Sequence, residues 1–256
     1  MKFRIVTIFC IMMLALLIPV HYFVAPALWW YPVAIAVMYV TMVFLGCVTL
    51  SMNFFIPVLC KATTTEKVVA LTFDDGPNTY STQILDILKV NNTPAAFFCI
   101  GKNIAGNEAV LQRMDKEGHI IGNHSYTHDF WFDMLGWHKM LAELQQMGIA
   151  AKHATGRQPL LFRPPYGVMN PNLAKAIKEG GYTTIGWSIR SFDTKAKDKE
   201  KLLSHITGQL KPGAIILLHD SRQITAEILP ELIKRIHDKG YKIVRADKML
   251  NIQAYA

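Results

Sequence analysis

Two adjacent carboxylates, Asp74 and Asp75, stand in the run Thr72-Phe73-Asp74-Asp75-Gly76-Pro77, directly after a stretch of apolar β-formers. Neighbouring side chains on a strand point to opposite faces, but at a strand end ahead of Gly-Pro both can turn towards one site. Two such groups ionise together only when a cation or a hydrogen-bond donor lies between them. Taken alone, Asp-Asp-Gly is more often a turn than a site. Further along, His124 and His128 change that balance. Histidines four apart share a helix face, the geometry by which two imidazoles bind one ion. One Asp with two His is the ligand set of a catalytic divalent-metal site, with positions left for water and substrate. Zinc is the default for such donors, and cobalt, nickel or iron fit the same ligands.

Two more clusters follow. In Arg163-Pro164-Pro165-Tyr166 the prolines hold the backbone, remove two N–H donors and leave the Tyr166 amide free, while Arg163 can clamp a carboxylate. By itself this is equally a rigid loop with a surface arginine. Leu217-Leu218-His219-Asp220 ends an apolar run abruptly in His-Asp, which places a histidine at the end of a strand.

The elements that must position these groups alternate. Strands are expected over Val68–Phe73, Ala95–Ile100, His119–Gly122, Leu160–Arg163, Tyr182–Trp187, Ala214–His219 and Tyr241–Arg245. Between them, helical periodicity covers Thr82–Lys89, Glu108–Lys116, Trp137–Ala151, Pro171–Glu179, Asp198–Leu210 and Ala226–Lys239. Regular βα alternation implies a parallel sheet with covering helices. The polar residues then choose the architecture. An open sheet gathers ligands at one switch point, from two or three strands. The candidate residues here follow five strands, and only a closed or nearly closed barrel brings five strand ends to one centre. The expected fold is a distorted (β/α)7 barrel.

Composition divides the chain. It has 27 Lys and Arg and 19 Asp and Glu, but residues 1–60 contain only Lys2 and Arg4, so the remainder carries +6 of the formal +8. The apolar fraction of 51% therefore reflects the first sixty residues, which excludes a disordered chain, a coiled coil and a polytopic transporter. Ile5–Val24 and Val33–Leu50 are uncharged runs, the first about 30 Å long as a helix, matching a bilayer core. Residues 1–60 are expected to form a membrane anchor of two transmembrane helices, 61–66 a polar linker, and 67–256 the catalytic domain. A signal peptide competes for the first run, with Ala25-Pro26-Ala27 as a loose cleavage site; the second run would anchor the chain even then. Lys2, Arg4, Lys61 and Lys67 flank the hairpin on one side, which by the positive-inside rule favours a cytoplasmic domain.

Cys10, Cys47, Cys60 and Cys99 form no close pair, which excludes a disulfide scaffold or a zinc ribbon. The positive charge is spread out apart from Lys195–Lys201, so nucleic acid is not an expected partner; that cluster is a solvated loop, or faces anionic lipid or an acidic polymer.

Phe73-Asp74-Asp75-Gly76, His124-x-x-x-His128, Arg163-Pro164-Pro165-Tyr166 and Leu218-His219-Asp220, in this order, resemble the polysaccharide deacetylase family (NodB-type, carbohydrate esterase family 4). The resemblance spans Val68 to Arg245. It implies metal-dependent hydrolysis of N-acetyl, sometimes O-acetyl, groups on an acetylated polysaccharide such as peptidoglycan or a chitin-like oligosaccharide. It also implies Asp74 as general base, Asp75, His124 and His128 as metal ligands, and His219 as general acid. Arg163 would orient Asp74, and the Tyr166 amide would stabilise the oxyanion. For localisation it implies a cell-membrane protein with an extracytoplasmic domain, against the flanking charges, so the side stays open. A lipid-linked sugar is an alternative substrate, and a non-catalytic carbohydrate-binding domain an alternative function. One segment departs from the family's Asp-x-x-Asp-Trp: here Arg190 and Thr194 replace the first Asp and the Trp, while Asp193 is kept as a partner of the site. Trp131, Tyr166 and Trp187 are candidates for stacking on sugar faces.

Overall fold

The computed structural model describes residues 2–23 and 30–256. The Ala25-Pro26-Ala27 segment lies outside the described residues. Eight parallel strands form one curled sheet: β1 (Val68–Asp74), β2 (Ala95–Cys99), β3 (Ile120–Asn123), β4 (Leu161–Phe162), β5 (Thr183–Thr184), β6 (Ile189–Arg190), β7 (Ala214–His219) and β8 (Lys242–Ile243). Their order is β5-β4-β3-β2-β1-β7-β6, with β8 beside the start of β1. The strand expected over Tyr182–Trp187 is shortened to β5, and β6 is an additional, eighth strand with no helix between the two. This is a distorted barrel, open between β5 and β6. Residues 58–62 cross the opening, with Leu59 bridging to Ile185 and Lys61 to Ala214.

Period-2 alternation sorts the side chains of β1. Val69, Leu71 and Phe73 face the helices, packed with Leu85 and Leu88 of α3 (Ser81–Val90) and Leu229 and Ile233 of α8 (Gln223–Asp238). Ala70 shares the barrel interior with Ala96, Phe98, Ile120, Leu161 and Ile215. Strands buried on both faces need nearly continuous apolar sequence, as β1, β2 and β7 have. The same alternation carries polar groups inward at the strand ends. Thr72 and Asp74 follow Ala70 on the interior face of β1, and His219 follows Ile215 and Leu217 on β7.

The covering helices α4 (Glu108–Lys116), α5 (Trp137–Thr155), α6 (Pro171–Glu179) and α7 (Lys199–Gly208) start and stop on local signals. Asn170 caps α6 by accepting from the Leu173 amide, with Pro171 at its first position, and Asp198 caps α7 through Lys201. α5 ends at Gly156, which is left-handed at φ 77°. A short helix, α9 (Ala246–Leu250), follows β8.

Two apolar helices precede the barrel, α1 (Lys2–Phe23) and α2 (Tyr31–Val48). They are long and apolar enough to be candidate membrane spans, and they expose Ile5, Phe9 and Val40 by more than half. The C-terminal end of α2 meets the barrel where the Met169 amide donates to the Cys47 carbonyl (2.9 Å). All four cysteines are free.

Candidate active site

At the C-terminal ends of the strands a cavity of about 230 Å³ is lined by Asp74, Asp75, His124, His128, Tyr166 and His219, among others. A larger cleft of about 740 Å³ lies at the other end of the sheet, between residues 61–65 and 208–214. Its walls contain no carboxylate, histidine or cysteine.

Asp74 completes the interior face of β1. Asp75 would face the helices if the strand continued, but its φ of 78° breaks the alternation and turns the second carboxylate towards the first. Asn103 Nδ2 holds the turn by donating to the Asp75 carbonyl (2.9 Å). Gly76 is required next, because any Cβ there would collide with the Asp220 carboxylate.

His124 and His128 are not on a helix. They lie in the loop after β3, where Ser125 and His128 adopt left-handed φ values of 64° and 50°. The four-residue spacing brings the rings within 4.8 Å of each other through this turn rather than through a helix face. Glu143 of α5 holds the loop, its Oε2 accepting from the Tyr126 and Thr127 amides and the Thr127 hydroxyl.

The donor set fits a divalent cation. One donor atom each from Asp75, His124 and His128 lie within 4.8 Å of one another. Asp75 Oδ1 is 3.8 Å from His124 Nε2 and 3.7 Å from His128 Nε2. His124 Nδ1 lies 2.8 Å from the Arg163 carbonyl. A carbonyl only accepts, so Nδ1 carries the proton and Nε2 keeps its lone pair for a ligand. Burial, reinforced by His124, lowers His128 to about 4, so the His128 imidazole is neutral at ordinary pH.

Arg163 is fully buried. Its Nη1 donates to Asp74 Oδ1 (2.7 Å) and Thr72 Oγ1 (2.8 Å), its Nη2 to the Gly186 carbonyl (2.9 Å), and the guanidinium lies 4.1 Å from the centre of the Phe98 ring. Burial lowers the Arg163 pKa, with the Asp74 charge opposing the shift. The arrangement holds one Asp74 oxygen and leaves Oδ2 towards the cavity, 3.8 Å from His124 Nε2.

On the far side, His219 Nδ1 donates to Asp193 Oδ1 (2.7 Å), while Oδ2 accepts from the His219 amide and the Thr225 hydroxyl (both 2.7 Å). Burial opposes charge on His219, but the bond to Asp193 and its negative charge outweigh it and raise the imidazole above its ordinary value. Burial likewise disfavours ionised Asp193, and the same His219 contacts outweigh it and lower that carboxyl. Tyr166 is left-handed (φ 56°), and its amide makes no hydrogen bond among the described residues. Trp187 lines the cavity, whereas Trp131 lies in an exposed loop beyond His128.

The structure therefore gathers Asp74, Asp75, His124, His128, Arg163, Tyr166, Asp193 and His219, together with Trp187, and leaves Trp131 outside the cavity. Sequence reasoning missed Thr72, Glu143, Thr225 and the Ser81–Asp220 pair, in which the serine hydroxyl donates to Asp220 (2.5 Å). Burial pushes Asp220 up to about 7. Glu143 and Ser81 look like ordinary helix-surface residues, and no local signal marks them.

A family model described as polysaccharide deacetylase matches residues 61–185. The peptidoglycan-N-acetylglucosamine deacetylase of Bacillus cereus is 35% identical over 191 residues, covering 72% of this chain and 89% of that protein. The peptidoglycan-N-acetylmuramic acid deacetylase PdaC of Bacillus subtilis is 34% identical over 189 residues, 73% of this chain but only 40% of that longer protein. Among solved structures, the Bc1960 peptidoglycan N-acetylglucosamine deacetylase superposes with a TM-score of 0.73 at 28% identity, covering 77% of this chain and 94% of its own. A CE4 family pseudoenzyme from Bacillus anthracis superposes at 0.71 and 28% identity, covering 76% and 69%.

Proposed function

The chain belongs to the polysaccharide deacetylase family, and on that premise we propose that it hydrolyses N-acetyl groups on an amino-sugar polymer with a divalent metal, zinc first among them. The observation that carries this reading is the convergence of Asp74, Asp75, His124, His128 and His219 on one cavity. Asp75, His124 and His128 are the proposed ligands. The bound cation would supply Lewis acidity to the acyl carbonyl and make a water easier to deprotonate. Asp74, held by Arg163, takes the water's proton through its free oxygen. The unpaired Tyr166 amide donates to the acyl oxygen as charge builds on it. His219, whose imidazole Asp193 holds above its ordinary pKa, then protonates the departing amine, giving acetate and the free amino sugar.

A binding-only relative needs neither a carboxylate clamped by a buried arginine nor a histidine bonded to a buried carboxylate opposite it, and both arrangements occur here. Residues 67–256 are the proposed catalytic unit, tied by 61–66 to a membrane anchor in residues 1–60. One observation favours a lipid-linked sugar as a second substrate reading. The end of α2 bonds to Met169, beside Asn170, whose side chain holds the Asp133 carbonyl in the loop beyond His128. The cavity mouth thus lies close to the end of a candidate span.

The test is acetate release by the full chain from acetylated amino-sugar oligosaccharides, with and without a chelator. Release that stops with chelator and returns with zinc is the expected result. Release indifferent to chelator overturns the metal assignment.

A further inference from the structure

Two arginines line the outer wall of the cavity, Arg190 at the end of β6 and Arg222 just before α8. Both are exposed, and neither guanidinium makes a hydrogen bond or an ion pair among the described residues. Apart from Arg4 near the start of α1, the other arginines, Arg113, Arg157, Arg163, Arg235 and Arg245, all hold carboxylates. The nearby acids are already engaged: Asp74 by Arg163, Asp193 by His219 and Thr225, and Asp75 beside the histidine pair. Arg190 is held in place without being neutralised, its guanidinium 5.2 Å from the Phe192 ring centre and 5.9 Å from that of Trp187. Lys195 and Lys197, in the loop after β6, are exposed and also form no ion pair among the described residues. The first turn of α8 has no acidic residue, so its positive end is not offset either.

We infer that this wall is an anion subsite, and that the amino sugar entering the cavity carries a phosphoryl or carboxylate group which Arg190 and Arg222 bind while the acyl group meets the floor. Arginine presents paired donors that match both groups, and two such unneutralised guanidinium groups on one wall favour an anionic ligand over a neutral one. The inference rests on the deacetylase reading and deepens it by naming the substrate class.

The full chain, metal-loaded and in detergent, is assayed for acetate release from three substrates. These are a neutral N-acetylglucosamine oligomer, an oligomer containing N-acetylmuramic acid with its free carboxylate, and N-acetylglucosamine 1-phosphate extended by a lipid. The wild type is expected to prefer a charged substrate, and whichever is preferred identifies the source of the anion. R190Q and R222Q should each lower the charged-to-neutral ratio of kcat/KM roughly 10- to 100-fold, the effect of losing a charge-assisted contact. Lys211→Gln removes the same charge from the remote cleft and should leave that ratio unchanged. A wild type that prefers the neutral oligomer, or a ratio unmoved in both arginine variants, overturns the subsite and leaves the deacetylase reading standing. No acetate from any substrate, with metal bound, overturns that reading itself.

Discussion

The floor and the rim of the cavity are built on opposite terms. On the floor Arg163 is wholly buried, Asp74 and His124 are 3% exposed and Asp193 is 2% exposed, and each has a fixed partner. On the rim Arg190, Thr194 and Arg222 are exposed, and neither arginine is hydrogen-bonded or ion-paired through its guanidinium among the described residues. Groups that move protons need a set orientation and a tuned charge, which only buried neighbours can impose. Groups that recognise a ligand must keep their bonding capacity for it. The family's motifs fall on the floor, and the departure from them, Arg190 and Thr194, falls on the rim. On the proposed function and subsite, chemistry and selectivity would be carried by different layers. Floor substitutions should damage turnover of every substrate, whereas rim substitutions should act on some substrates and not others.

Asp74→Asn is the severest test of the floor. Asparagine keeps the shape and can still accept from Arg163, but it cannot take a proton. Turnover should fall roughly 10²- to 10⁴-fold on neutral and charged substrates alike. Zinc content measured on the same sample should be unchanged, since the proposed ligands remain. Undiminished turnover would remove Asp74 from the role of base.

Arg163→Met tests how far the floor is also a structural element. It strands the Asp74 carboxylate in an interior that is 3% exposed and leaves the Gly186 carbonyl and the Thr72 hydroxyl without this donor. Breaking a buried pair from one side costs about 3–5 kcal/mol, visible as a lower thermal unfolding midpoint. A midpoint shift no larger than that of R190Q would show floor and rim to be equally dispensable to the fold.

Asp193→Asn separates charge from position. Asparagine can still accept from His219 Nδ1, but the anion that raises the imidazole is gone, so the His219 pKa falls. A catalyst needing protonated His219 then loses activity from a lower pH upwards, and the basic limb of the kcat/KM profile moves to lower pH. Stability follows the same pair. Because folding raises His219, its contribution is complete below the unfolded-state pKa and disappears as pH rises through the folded value. Because folding lowers Asp193, its contribution is present above the unfolded carboxylate pKa and disappears as pH falls through the folded one. The stabilising window lies between the two, and the variant's unfolding midpoint should be flatter across it.

Much of this could be read from the chain, for physical reasons that also mark where reading stops. β1, β2 and β7 are buried on both faces and so announce themselves as apolar runs. β5 and β6 are two residues each, too short for a period to register; the expected strand covers only the first, and β6 lies beyond it. The site residues were visible because a strand that ends abruptly in Asp-Asp or His-Asp has no packing reason to do so. Their geometry was not. It depends on left-handed backbone at Asp75, Ser125 and His128, and these residue types do not announce that conformation as glycine would. Glu143, Ser81 and Thr225 act across the sheet from helix positions, and a helix surface shows only its own periodicity.

Thr225→Val probes the floor at its weakest expected point. Thr225 is fully buried in the first turn of α8, and its hydroxyl is one of two donors to Asp193 Oδ2. Valine fills the same volume and removes only that donor, since the His219 amide still bonds the same oxygen. The loss is about 1 kcal/mol of support for the ionised carboxylate, a several-fold effect at most. Because Asp193 acts through His219, the loss should appear in kcat rather than KM and should be the same for neutral and charged substrates. Arg222 stands only three residues earlier in the chain, yet R222Q should move the charged-to-neutral ratio and Thr225→Val should not. If Thr225→Val changes that ratio instead, the helix end serves recognition as well as proton transfer, and the division between floor and rim does not hold at α8.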